Sequence, residues 1–338
     1  QLIKDGVIFS TGTDSETIMH LLAKRLKNED LITALSNVMT QITGSYSMVF
    51  MADNKLIAMR DPHGVRPLAM GMMKDGYVFV SETVALDLID AHFVREVEPG
   101  EMVVVDASGV KSYFPNGKLE HPAPCIFEHV YFARPDSFMF GQSVYEVRKG
   151  FGRILAKECP VDADIVIPVP DSGITATIGY SEESKIPFEL GIIRNHYVGR
   201  TFIEPSQNIR DFGVRIKLNP VRNLINGKRI VVVDDSIVRG TTSKKIVKLL
   251  RDAGAKEIHM RISAPPTSYP CYYGIDTPTK KELISNTHTE EEIRKFIGAD
   301  SLGYISLKGM KKVLIDNNFC FACFTGQYPI DPTDLIED

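Results

Sequence analysis

The stretch IVVVDDSIVRGTTS, Ile230 to Ser243, decides the fold of this chain. Ile230 to Val233 is a run of β-branched apolar residues without polar alternation, the pattern of a strand buried on both faces in a parallel sheet. Asp234 and Asp235 follow at the carboxyl end of that strand, and ligands of open α/β sheets bind beyond such ends. Ser236 to Thr242 then offers backbone N–H groups and hydroxyls to an anion, with a helix N-terminus behind it. That helix is expected over Thr241 to Leu250, with Ile246, Leu249 and Leu250 on one side and Gly254 just past its end. Carboxylates for hydroxyls or a metal, beside a cradle for phosphate, describe a site for a sugar phosphate. An ordinary strand-turn-helix with the acids capping the helix uses the same residues. The joint occurrence of buried strand, acid pair and R-G-T-T loop weighs against it.

This stretch resembles the phosphoribosyl pyrophosphate (PRPP) signature of the phosphoribosyltransferases. The resemblance implies that Asp234 and Asp235 hold the ribose hydroxyls and magnesium. It implies that Ser236, Val238, Arg239, Gly240, Thr241 and Thr242 form the 5′-phosphate loop. A second loop, Pro170-Asp171-Ser172-Gly173, leads from an expected strand (Ile165 to Val169) into an expected helix (Ile174 to Ser184), so it falls on the same sheet edge. In the resembled enzymes the corresponding loop holds pyrophosphate. Gly173 would let the backbone approach closely, and Ser172 would donate to phosphate or ligate magnesium. Taken alone, P-D-S-G is more often only a helix cap. Between the loops, Asn195 to Pro220 is polar and irregular, the character of an active-site lid. Arg200, Arg210, Arg215 and Lys217 would meet the anionic ligand there, the alternative being a solvated surface loop.

Outward from these loops, the rhythm from about Tyr145 alternates helix and strand: Val144 to Lys157, Ile165 to Val169, Ile174 to Ser184, Phe188 to Ile193, Ile230 to Val233, and Glu257 to Ile262. That alternation predicts an α/β domain with a doubly wound, mainly parallel sheet. Before Glu120 the strand-like runs Tyr46 to Met51, Leu56 to Arg60, Tyr77 to Ser81 and Met102 to Val105 are joined by hairpin-like turns at Asp53-Asn54 and Lys74-Asp75-Gly76. With helical patterns at Ser15 to Lys27 and Leu31 to Ile42, they predict an α+β domain of antiparallel sheet and packed helices. The proline-containing connector Gly117 to Pro124 marks the boundary.

A chain of 338 residues with a net charge of −4 has no global attraction to nucleic acid or a membrane surface. No signal peptide and no apolar run long enough to span a bilayer is present, so neither partner is expected. Five cysteines, an odd number, argue against a closed disulfide framework and for a reduced, cytoplasmic setting. Cys320-Phe-Ala-Cys323 is a CxxC; by spacing alone it fits a redox pair, a zinc knuckle or an iron–sulfur site.

The surroundings of the cysteines carry more. Cys125 lies in PCIFEHVYFARPDS, Cys271 in YPCYYGID and the pair in NNFCFACFTGQYP; all resemble the cluster-bearing glutamine PRPP amidotransferases (amidophosphoribosyltransferases). The resemblance implies that Cys125, Cys271, Cys320 and Cys323 ligate a [4Fe–4S] cluster, with a structural role, while Cys159 matches no cluster position and is expected as a buried core thiol. RDPHGVRPLAMG (Arg60 to Gly71), VSETVALD (Val80 to Asp87) and EPGEMVVVD (Glu98 to Asp106) look like the later part of that family's N-terminal-nucleophile glutaminase domain. Asp14, in STGTDSE, falls where the family contacts the glutamine α-amino group. Read as local structure, Asp14 caps its helix, with Thr13 and Glu16 as a capping box.

The expected layout is therefore a partial glutamine amidotransferase domain over 1–120 and a phosphoribosyltransferase domain with iron–sulfur ligands over 121–338. The implied activity makes 5-phosphoribosylamine, pyrophosphate and glutamate from PRPP, glutamine and water, the opening step of de novo purine synthesis. The family's nucleophile is an N-terminal cysteine acting through its own amine. Here the sequence begins at Gln1 and no cysteine precedes Cys125, so the expectation is a fragment using ammonia, with no catalytic nucleophile in the chain. Magnesium, purine-nucleotide feedback and a homo-oligomer (dimer or tetramer) are further implications. Rival readings are another phosphoribosyltransferase, a noncatalytic PRPP-sensing regulator that binds RNA, and a structural metal-binding scaffold.

Overall fold

The structure is a computed structural model that describes residues 2–52, 54–195, 218–277 and 279–332. The chain forms two compact units: Gln1–Cys125 with Asn318–Cys320 and Tyr328–Asp338, and Ile126–Asn317 with Phe321–Gln327. The first unit extends slightly past the expected connector because Ala123 N–H donates to His63 O and Cys125 N–H to Val65 O.

The first unit contains β1 (Ser47–Ala52), β2 (Lys55–Arg60), β3 (Ala69–Met73), β4 (Gly76–Val80), β5 (His92–Glu96), β6 (Met102–Asp106) and β7 (Gly109–Tyr113). They form two antiparallel sheets, ordered β1-β2-β6-β7 and β4-β3-β5. The strand period of two sorts the core. Ile57 and Met59 of β2, with Met102 and Val104 of β6, pack on Leu22 of the helix Asp14–Arg25 and on Ala34, Leu35, Val38 and Met39 of the helix Leu31–Met39. The intervening Ala58 and Val103 face the other way and join Leu68, Met70 and Val97. The carboxylate of Asp30 starts the second helix by accepting from the N–H groups of Ile32 and Thr33, and the helix ends at Met39 rather than at Ile42. Strands β3, β5 and β7 were not expected from sequence: AMGMM carries no β-branched residue, HFVRE is largely solvent-facing, and GVKSY offers only Val110 and Tyr113 as apolar side chains.

The second unit adds the short hairpin β8 (Phe138–Met139) and β9 (Gln142–Ser143), then β10 (Ile165–Pro168), β11 (Ile192–Arg194), β12 (Leu218–Pro220), β13 (Arg229–Asp234), β14 (Glu257–Ile262) and β15 (Ser301–Tyr304). Its main sheet runs β10-β13-β14-β15, parallel throughout. Ile165, Ile167, Ile230, Val232, Ile258, Met260 and Ile262 line one face and pack on Ile246, Val247 and Leu250 of the helix Thr241–Asp252 and on Ile293 and Ile297 of the helix Glu290–Ile297. On the other face Arg261 Nε–H donates to Cys159 O, at the end of the helix Val144–Glu158, and Tyr180 of the helix Ile174–Ser184 donates to the same carbonyl.

The expected strand Phe188 to Ile193 does not form as one piece. Phe188 makes a single parallel bridge to Val166, and Ile192–Arg194 pairs instead with β12, antiparallel. The apolar run is too short to hold both registers, and Gly191 interrupts it. The bridge still matters for topology. From β10 the chain goes to Phe188 on one side and returns to β13 on the other, which makes the gap between β10 and β13 the topological switch point. No helix among the described residues is long and apolar enough to cross a membrane.

Candidate functional site

Both loops singled out from sequence spring from this switch point. Strand β13 ends on Asp234, and the helix Thr241–Asp252 begins after Gly240. Strand β10 ends on Pro168, and the helix Ile174–Ser184 begins after Gly173. The loops are bound at their roots, where Val169 N–H donates to Val233 O at 2.9 Å. A Cβ on Gly173 would lie 2.4 Å from Val233 O and 2.9 Å from Val169 O, so only glycine fits. The Pro170–Asp171 peptide is cis.

Neither helix has a side-chain cap; glycine occupies the N-cap of each. Ile174 N–H is taken by Asp171 O at 3.3 Å; the other first-turn N–H groups have no intrahelical acceptor and lie at the positive end of the helix dipole, a setting that suits an anion. Asp234 and Asp235 therefore do not cap the helix, contrary to that part of the alternative reading. Asp234 and Asp235 are both buried, at 6% and 7% exposure. Asp234 Oδ1 accepts the Asp235 N–H at 2.9 Å, and Ser236 Oγ–H donates to Asp235 Oδ2 at 2.5 Å. Burial, and then the charge of Asp235 beside it, push the Asp234 carboxyl well above the usual carboxylate range. Two adjacent buried carboxylates are suited to a cation or to hydroxyl donors.

Gly240 has φ +72°, open to glycine at little cost. A Cβ there would stand 2.9 Å from Ile284 Cδ1 and 3.2 Å from Phe296 Cε1, so apolar side chains support the loop from behind. Ile284 N–H donates to Val238 O at 3.0 Å. Arg239 is exposed and pairs with Glu282 at 3.2 Å. Asp171, also exposed, pairs with Arg194 of β11. Ser172 is half-buried.

Four partners of the site were not found from sequence: Arg194, Ser263, Glu282 and Ile284. Ser263 donates through N–H and Oγ–H to Asp234 O, at 2.9 and 3.2 Å. Its place just past β14, on the same sheet edge, was a usable signal. Glu282 and Ile284 gave none, because their contact with the loop is long-range. The lid candidates Arg200, Arg210, Arg215 and Lys217 lie outside the described residues.

None of the five cysteines is in a disulfide. In the first unit Cys125 forms a parallel bridge with Cys320, whose N–H donates to Pro124 O at 2.8 Å. In the second unit Cys271 Sγ accepts the Tyr273 N–H at 3.3 Å, and Cys323 O accepts from the N–H groups of Ser268 and Tyr269. Among the described residues no group of three or more His, Cys, Asp or Glu is gathered to hold a metal ion. Cys159 is half-buried rather than fully buried; its thiol donates to Tyr304 O at 3.4 Å, and burial raises its pKa.

Asp14 is exposed, and its Oδ1 accepts the N–H of Ser15 at 2.7 Å. The expected capping box is not formed, since Thr13 makes no side-chain cap. Glu16 turns back instead to Ser10 N–H and to the N–H and hydroxyl of Thr11. The Ser10 N–H bond, followed by the Thr11 hydroxyl, holds its carboxyl down at about 2. The box fails because the segment before the helix folds over it and takes the glutamate first.

Residues 1–88 match the glutamine amidotransferase domain family, and residues 146–316 match the phosphoribosyl transferase domain family. The chain is 56% identical to amidophosphoribosyltransferase 1, chloroplastic, of Arabidopsis thaliana, over 99% of the chain and 59% of that protein. It is 51% identical to the amidophosphoribosyltransferase of Methanocaldococcus jannaschii, over 98% of the chain and 74% of that protein. The Bacillus subtilis amidophosphoribosyltransferase is 48% identical over 100% of the chain and 71% of its own length. The chain thus spans 58–60% of the length of the first plant relatives. Among solved structures, the allosteric regulatory enzyme of purine biosynthesis superposes with a TM-score of 0.92 at 48% identity, over 98% of this chain and 72% of that one. The glutamine PRPP amidotransferase from B. subtilis, complexed with ADP and GMP, gives 0.91 at 48% identity, over 98% and 74%.

Proposed function

The chain belongs to the amidophosphoribosyltransferase family, and from that premise we propose that its second unit transfers the phosphoribosyl group of PRPP to ammonia. In the complete reaction glutamine supplies that ammonia: PRPP, glutamine and water give 5-phosphoribosylamine, pyrophosphate and glutamate, opening de novo purine synthesis. The observation that carries this reading is the pair of glycine-rooted loops joined by Val169 N–H to Val233 O at the switch point, with two buried carboxylates between them.

Each role rests on what the group can do. The first-turn N–H groups behind Ser236 to Thr242, with the hydroxyls of Thr241 and Thr242 and the Arg239 guanidinium, would hold the 5′-phosphate and so fix C1 by remote binding energy. Asp234 and Asp235 would accept from the ribose hydroxyls, and their charge would ease the positive charge that develops on the sugar as pyrophosphate departs. Asp171, Ser172 and Gly173 would receive the pyrophosphate. Asp234, Asp235 and Ser172 would hold magnesium, which would supply charge neutralisation for the departing group; the chemistry of a hard dication suits these oxygen donors. Arg200, Arg210, Arg215 and Lys217 are proposed to close over the anion and exclude water.

The proposal extends to the first unit, as a glutamine amidotransferase-type domain with Asp14 toward the glutamine α-amino group. It also places a [4Fe–4S] cluster on Cys125, Cys271, Cys320 and Cys323. Support for the cluster is the supply of four cysteines outside any disulfide and the Tyr273 N–H directed at Cys271 Sγ, a hydrogen bond of the kind that cluster sulfurs accept. Its test is iron content: protein purified anaerobically carries about four irons per chain, and stoichiometric zinc or empty thiols sink the assignment. Feedback by purine nucleotides and a cytoplasmic homo-oligomer complete the reading; the nucleotides are supported by the ADP and GMP on the B. subtilis relative.

The deciding experiment is magnesium-dependent release of pyrophosphate from PRPP by this chain, with ammonia or glutamine as donor. Turnover with ammonia alone supports the reading as stated. Turnover with glutamine places a working glutaminase in the chain. PRPP binding without turnover on either donor moves the assignment to a sensor.

A further inference from the structure

The segment Thr279 to Ile297 is far from the anion loop in sequence, yet it grips that loop at three successive residues. Ile284 N–H donates to Val238 O at 3.0 Å. Ile284 and Phe296 close the space behind Gly240, where an added Cβ would fall 2.9 and 3.2 Å from them. Between these two fixed points Arg239 Nη2 lies 3.2 Å, and Nε 3.3 Å, from Glu282 Oε1. Phe296 is itself covered by Lys244 Nζ, 4.5 Å from its ring centroid.

Glu282 is aimed rather than free to wander. Its Oε2 accepts from the N–H and Oγ–H of Thr279, each at 3.1 Å, completing a capping box, while Oε1 is left to Arg239. The Arg239 contact is loose. Both of its distances exceed the 2.7–2.9 Å usual for a charge-assisted bond, and the side chains are 54% and 48% exposed. An exposed pair of this kind contributes little and is screened by water. A phosphate group held by the loop offers the same guanidinium two charged oxygens in the geometry a planar fork prefers.

We propose that Glu282 is a positioning residue for the phosphate loop: it holds the Arg239 guanidinium when no 5′-phosphate is present and competes with the phosphate for it. This inference rests on the reading of Ser236 to Thr242 as a phosphate cradle. Its distinctive consequence is one of sign. A merely structural support, once removed, loosens substrate binding, whereas a competing carboxylate, once neutralised, tightens it.

The test uses the full chain, with inorganic phosphate as a binding probe by calorimetry and PRPP as substrate with ammonia. Glu282→Gln is expected to lower both the Kd for phosphate and the KM for PRPP by about two- to fivefold, a span set by the small worth of an exposed pair, with kcat moved less than KM. Arg239→Gln raises both constants. In the double variant the gain from Glu282→Gln disappears, because the effect runs through Arg239. Thr279→Val, which removes the hydroxyl that aims Glu282, gives a smaller change in the same direction as Glu282→Gln. A higher KM in Glu282→Gln, or a gain that survives in the double variant, overturns the proposal. Should the unaltered chain bind neither phosphate nor PRPP, the cradle reading fails and takes this inference with it. Normal binding with no response to Glu282→Gln removes this inference alone.

Discussion

Val169 and Val233 are joined by a single backbone hydrogen bond, N–H to carbonyl at 2.9 Å, and the two loops of the candidate site diverge from it. Gly173 presses on the same carbonyl, with room for no side chain. The spacing of the loops is thus set by backbone, which a substitution cannot repack.

Gly173→Ala should therefore act on substrate binding more than on folding. Overpacking against backbone costs typically about 1–3 kcal/mol, and that much removed from binding is roughly ten- to a hundredfold in the KM for PRPP. Steady-state kinetics beside a melting curve separates the two effects. A variant that melts early but keeps its KM contradicts this expectation.

Asp234→Asn with Asp235→Asn should abolish magnesium-dependent turnover. In metal-free buffer the melting temperature should not fall, because the change removes an adjacent carboxyl pair whose charging burial opposes. Full activity in the double variant ends the assignment of these acids. Lost activity together with a large drop in melting temperature makes them structural.

The helices Val144–Glu158 and Ile174–Ser184 cross in backbone contact. A Cβ on Gly152 would stand 1.8 Å from Ala176 O, and one on Gly179 would stand 1.9 Å from Lys149 O. Either Gly→Ala change forces the helices apart and should destabilise the second unit by about 3 kcal/mol, the upper end for overpacking. Urea titration followed by circular dichroism measures it. A cost below about 0.5 kcal/mol, the ordinary scale of surface changes, would mean that the helices can slide.

Asp61 is completely buried in the first unit, where its carboxylate accepts from the N–H groups of Tyr46, His63 and Val65. Burial outweighs those bonds and raises its pKa from 3.8 to about 6. The folded form thus keeps a proton that the unfolded chain has lost. The resulting stability is fully present below the unfolded value and is lost as pH rises through about 6, on the order of 3 kcal/mol in all. Asp61→Asn keeps a carbonyl for the donors and removes the titration. Its melting temperature relative to the unaltered chain should rise between about pH 4 and pH 7; a difference that stays flat with pH places the proton elsewhere.

The layout of the candidate site was readable wherever it is written in consecutive residues. Ile230 to Thr242 and Pro170 to Gly173 each carry strand, turn and helix start in a few positions, and the structure puts both at one switch point. Reading failed where geometry depends on distant partners. Glu16 has a capping-box spacing after Thr13, but Ser10 and Thr11 reach it first. Phe188 to Ile193 has a strand's composition, but its ends join different neighbours. Strands such as β5 and β7 are held by pairing along their edges and carry too few apolar side chains to announce themselves. Glu282 could not be tied to Arg239 by any local pattern.

The short return of Asn318–Cys320 to the first unit bears on how the chain is made. Cys320 N–H completes a bond to Pro124 O, and Cys320 bridges Cys125. A ribosome releases Cys125 long before Cys320, with nearly all of the second unit synthesised in between. The unit that emerges first therefore closes last, against the usual order in which N-terminal domains finish folding before C-terminal ones. Until then the main-chain groups of Pro124 and Cys125 await a partner not yet translated, and a nascent chain stalled before Asn318 would hold its first unit unsealed.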